Sequence, residues 1–187
     1  MLIAEGALER VPAYAVVPEH VVDAVMRELR GGAGQRGGLD RAFRALELEQ
    51  PALAAFLAEE LADLQSPAAQ ALAFYLFLAA GSAFRSAFGA RLHAISERDL
   101  DGALDLLLAD GEVRSQTCPA GSFSQDRVAC LQPALMDALL EELEIGHAAL
   151  AKSGSGAGPD APESEVDPIL QVLLVQIVAL TRAVAPA

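Results

Sequence analysis

Apolar residues recur three and four positions apart along most of this chain, the spacing that gathers them on one face of an α-helix. Behind Pro18, whose missing N–H is harmless in a first helical turn, Val22, Val25, Met26 and Leu29 form the first such face. Gly31-Gly32-Ala33-Gly34 ends it, and a mobile connector is expected as far as Gly37-Gly38. Asp40 is placed to cap a second helix that turns Phe43, Leu46 and Leu48 inward. Gln50-Pro51 restarts or kinks that helix. Leu53, Phe56, Leu57, Leu61 and Leu64 then make an inner stripe, with Glu59, Glu60 and Asp63 facing out. Ser66-Pro67, a cap followed by a first-turn proline, opens a helix expected to reach Phe88. From Ala71 to Ala80 it is apolar on every face, which suits either a membrane span or the centre of a bundle. A span needs about 20 apolar residues, and Gln70 and Arg85 bracket fewer, so a central helix is expected.

The second part of the chain repeats this style. Ser96-Glu97-Arg98-Asp99 has the form of a capping box with Asp in place of Glu, followed by Leu100, Leu104, Leu107 and Leu108 on one face. Asp110-Gly111 is expected to end that helix, and residues 112–131 read as a polar loop. Gln132-Pro133 opens another helix with Leu135, Met136, Leu139, Leu140 and Leu143 inward. Residues 152–166, rich in Gly, Ser, Pro and acids, read as a flexible linker. Asp167-Pro168 then opens a last helix, Ile169 to Val184, apolar nearly all round and interrupted by Gln171 and Gln176. It is short for a span and its two amides add a penalty, so it too is expected to be buried.

An internal repeat organises these elements. Gln50 to Leu61 reads QPALAAFLAEEL and Gln132 to Leu143 reads QPALMDALLEEL, with 8 of 12 positions identical. Helices rich in Ala, Leu and Glu match cheaply; the shared Gln-Pro start is less cheap. Each copy is followed by a cap-Pro-x-x-Gln apolar helix and preceded by a helix alignable through Glu19 with Glu97 and Asp23 with Asp101. The expected fold is all-α: a compact bundle of about six main helices in one domain over residues 1–187, built as two duplicated three-helix halves. The halves are 18–88 and 96–151 plus 167–184, with 1–17 as an N-terminal arm and 152–166 as the linker. Two apolar third helices should then lie side by side at the centre.

Composition narrows the function. Hydrophobic residues are 53% and charged residues 21%, which excludes a wholly disordered chain. The net charge is −13 and no cluster of basic residues is evident, so nucleic-acid binding and attraction to anionic lipid are not expected. The charge is uneven: residues 1–95 carry 8 basic and 11 acidic side chains, residues 96–187 carry 5 and 15. An acidic surface serves solubility first; its sharper reading is a basic partner for the second half. Cys118 and Cys130 make no disulfide framework, and the start lacks a basic, then long apolar, leader, so a cytoplasmic protein is expected.

Candidate chemistry is sparse. Glu144-x-x-His147 puts a carboxylate and an imidazole on adjacent turns of one helix, the half-motif that di-metal bundles use twice. The corresponding first-half residues are Ala62 and Gln65, so the repeat supplies no second pair. His93 and Glu97 could add ligands only across a helix start. Cys118 and Cys130 lack zinc spacing and a neighbouring His. Gly31 to Gly38 lacks the Lys-Ser/Thr of a phosphate loop, and Ser122 and Ser124 lack a nucleophile elbow. Phe74, Tyr75, Phe77, Phe84 and Phe88 share one helix, as core filling or as a pocket wall. Arg85 sits among them and must either meet an acid from the other half or reach out to solvent.

With no complete catalytic constellation, the sequence reads as a non-enzymatic helical interaction protein, an adaptor or regulatory partner, with no cofactor expected. Its partner would be another protein, or a second copy exchanging the tethered last helix. The alternative is a metal- or small-ligand-binding bundle using Glu144 and His147. A third reading, membrane association through residues 168–184, is disfavoured by their length.

Overall fold

The computed structural model of the chain describes residues 11–31, 35–117, 128, 131–153 and 163–186. Seven α-helices pack together among them: α1 (Glu19–Arg30), α2 (Gln35–Glu49), α3 (Pro51–Asp63), α4 (Pro67–Phe88), α5 (Glu97–Thr117), α6 (Pro133–Ser153) and α7 (Glu163–Arg182). No sheet occurs among the described residues, only an isolated antiparallel bridge between Leu92 and Val184.

Several boundaries differ from the sequence expectation, each for a local reason. α2 starts at Gln35, so Gly37 and Gly38 are helical and Asp40 lies inside the helix rather than capping it. Gly38 is buried there, with no heavy atom within 4 Å of where a Cβ would stand. Leu48, expected inward, is 83% exposed, while Leu46 two residues earlier is buried. α5 continues to Thr117 through Asp110-Gly111, since one glycine costs a helix only about 1 kcal/mol. α6 extends to Ser153, and α7 begins at Glu163 with Pro168 inside its first turns. Both ends of the expected linker are therefore helical. Cys118, Cys130, Ser122 and Ser124 lie outside the described residues.

The central pair forms as its all-round apolarity requires. α4 packs on α7; α4 is buried along its middle and α7 along most of its described length. α4 contributes Leu76, Phe77, Ala79, Ala80 and Phe84, all 0% exposed, while α7 contributes an unbroken buried run from Val172 to Leu180. Pro67–Arg91 is long and apolar enough to cross a membrane by length and composition, and half of its most apolar window is buried inside the fold. α1 packs on α4 and α5 on α7; α3 touches α5, and α6 touches α1 and α4. Gly89 ends α4 with φ of 51°, a left-handed conformation that glycine adopts without strain.

Two of the expected caps form, at Ser66 and at Ser96–Asp99. The Ser66 Oγ accepts from the Ala69 N–H at 3.4 Å. The Asp99 carboxylate accepts from the Ser96 N–H at 2.8 Å and from its hydroxyl at 2.7 Å. These bonds hold the Asp99 carboxyl below the usual carboxylate range.

Candidate functional site

The two repeat glutamines do more than begin helices. The Gln50 Nε2 donates to the His93 carbonyl at 3.0 Å, and its Oε1 accepts from the Ile95 N–H at 2.8 Å. The Gln132 Nε2 donates to the Ala15 carbonyl at 2.7 Å and to the Thr181 Oγ1 at 3.0 Å, while its Oε1 accepts from the Val17 N–H at 2.9 Å. Each amide thus clamps a short segment just ahead of a helix: Gln50 holds His93 and Ile95 ahead of α5, and Gln132 holds Ala15 and Val17 ahead of α1. The residues 91–95 are held from the other side too, by His93 N–H to the Ala183 carbonyl and Ala185 N–H to the Arg91 carbonyl. The shared Gln-Pro start was the sequence signal; the partners of the amides had none.

Glu144 and His147 sit on α6 as expected, but they do not converge on further ligands. Glu144 is exposed, whereas His147 is partly buried with an Nε2 that has no hydrogen-bond partner among the described residues. Between them, Gly146 lies so close to Leu72 of α4 that an added Cβ would come within 2.5 Å of a leucine methyl. No group of three or more metal-capable side chains occurs among the described residues. The corresponding first-half positions fall at the end of α3, where the Gln65 Nε2 donates to the Asp63 carbonyl at 3.3 Å.

One turn before Gly146 on α6, Glu142 forms an ion pair with Arg30 at the end of α1. The Glu142 side chain is only 13% exposed and that of Arg30 is 50% exposed. The buried Tyr75 hydroxyl lies against the pair but meets neither member at good hydrogen-bonding geometry. Burial, and then the Glu142 carboxylate, push the Tyr75 phenol above its ordinary value of 10.0. The folded state therefore keeps this proton where the unfolded chain releases it. That contribution is intact below pH 10 and fades as pH rises through the folded value. Tyr75→Phe is expected to match the wild type within about 1 kcal/mol at pH 7. Urea titrations above pH 10 should show the wild type losing stability relative to the variant; parallel curves would refute this.

Arg85 reaches outward at the end of α4, 45% exposed, and meets Glu49 of α2 at 3.6 Å. Its acid therefore comes from the same half of the chain. It borders a cleft of about 360 Å³ between α1, α2 and α4, which also takes in Arg41 and Arg44. A second cleft of about 370 Å³ between α1 and α6 is charge-balanced, with Arg27 and Arg30 against Asp23 and Glu141. The aromatic residues of α4 fill the core: Phe77 and Phe84 are fully buried, with Phe56 and Phe77 ring centroids 6.4 Å apart.

Compared with protein-family models, curated proteins and solved structures, the chain matches none.

Proposed function

We propose that this chain is a non-enzymatic, cytoplasmic helical interaction protein, an adaptor or regulatory partner, that binds a basic amphipathic helix of another protein. The observation that carries the reading is the outer face of α5. Glu97, Asp101 and Asp105 recur there at helical spacing, all exposed, and Leu108, 56% exposed, follows on the same face one turn before the exposed Glu112. A bare leucine within a row of carboxylates offers one apolar anchor ringed by charge, the complement of a helix with Lys or Arg flanking an apolar stripe.

A synthetic amphipathic Lys/Leu helix serves as the probe, its binding followed by fluorescence anisotropy. Asp101→Lys/Asp105→Lys should weaken it about tenfold or more. Asp137→Lys/Glu141→Lys, the same charge change on exposed positions of α6, should weaken it less than about twofold. Equal losses would mean that only net charge is read, and the proposal would fall.

We further propose that the two halves descend from a duplication. The reciprocal clamps by Gln50 and Gln132, and the packing of α4 on α7, support that reading. Each half then supplies the amide that fixes the other's first helix, so neither half is expected to fold alone.

The alternative, a metal or small-ligand site at Glu144 and His147, draws on the unpartnered buried Nε2 of His147. The exposure of Glu144 weighs against it.

A further inference from the structure

The cleft between α1, α2 and α4 gathers three arginines of this acidic chain. Its wall holds Arg41 and Arg44 from α2, Arg85 from α4, and a single carboxylate, Glu28 of α1. Three guanidinium groups and one carboxylate leave the wall net positive in a chain of net charge −13. The acids nearest these arginines do not consume them. Arg41 stands 3.9 Å from Glu28 and Arg85 stands 3.6 Å from Glu49, both beyond hydrogen-bond length. Each guanidinium carries five N–H donors, so donors remain for an incoming oxyanion. Ser82 and Ser86, one helical turn apart on α4, add two hydroxyls to the same wall. Val25 and Leu29 of α1 supply an apolar side.

We propose that this cleft binds a phosphorylated small molecule, with Arg41, Arg44 and Arg85 on the phosphate groups and the apolar side against the carbon skeleton. Guanidinium groups pair with phosphate in two-pronged fashion, and the donors here come from two helices rather than one plane. That arrangement suits tetrahedral phosphate better than a flat carboxylate. The volume, about 360 Å³, lies in the range of small-molecule sites. This site is separate from the acidic face of α5, and either can fail without the other.

Inorganic pyrophosphate is the probe, titrated calorimetrically into the whole chain at low ionic strength, where exposed charges are least screened. Saturable binding is expected, with Arg44→Gln/Arg85→Gln weakening it about tenfold or more. Arg98→Gln/Arg182→Gln removes the same charge elsewhere and should weaken it less than about twofold. All four positions are exposed, so thermal melts of both variants should match the wild type. Citrate should bind about tenfold more weakly than pyrophosphate. Lack of saturation, equal losses in the two double variants, or citrate binding as tightly as pyrophosphate would each overturn the proposal.

Discussion

Gln132→Ala is expected to cost about 3–5 kcal/mol and to lower the melting temperature by roughly 10 °C. The Gln132 side chain is 0% exposed and serves three partners at once. Truncation leaves the Val17 N–H and the Ala15 carbonyl buried without their partner, and an orphaned buried backbone group costs about 1–3 kcal/mol. A domain of this size has only about 10 kcal/mol in total, so the loss is a large share. Gln176→Leu is the matched comparison. Gln176 is equally buried, but its Nε2 donates once, to the Phe77 carbonyl at 2.9 Å, and its Oε1 has no partner among the described residues. A leucine there removes an unsatisfied acceptor, so stability should stay within about 1 kcal/mol of the wild type or rise. Urea denaturation separates the two. If Gln132→Ala unfolds no more easily than Gln176→Leu, the clamp contributes nothing to holding the arm.

Phe77→Ala should be about as damaging, at roughly 3–5 kcal/mol. Phe77 is fully buried near the middle of α4, beside Phe56 of α3, and its backbone carbonyl receives the Gln176 amide of α7. Its removal opens a void where three helices meet, and the lost transfer energy adds to the cavity cost. Calorimetric melting checks this. A variant that melts within about 2 °C of the wild type would mean that the centre of the bundle can collapse into the void.

The helices themselves were legible in the residues. Periodic leucines and valines placed α1, α3, α4, α5, α6 and α7, and the prolines at 18, 51, 67 and 133 marked four of the starts. Helix formation depends on neighbours three and four residues away, so short-range pattern carries it. Apolarity on every face told α4 and the last helix that they belong inside. Ends were less legible. Gly37, Gly38 and Gly111 favour breaks by local propensity yet are helical, because packing of α2 and α5 against the bundle overrides a propensity cost of about 1 kcal/mol.

The candidate site was legible only as residue types. Glu144 and His147 share a helix turn from sequence alone, but the exposure of one and the burial of the other depend on how α6 rolls against α4 at Gly146. The arginines of the cleft are separated by more than forty positions in sequence, Arg41 and Arg44 from Arg85, and no local pattern predicts that α2 and α4 bring them together. The glutamine clamps are the clearest case. The Gln-Pro repeat was visible, yet Gln132 reaches Ala15 and Val17 across more than a hundred residues. Local pattern thus sufficed for which segments are helical and which faces are apolar, since those follow from nearest neighbours on one helix. Which amide meets which backbone, and which charges share a cleft, followed from long-range packing, because only the close fit of the helices brings distant residues together.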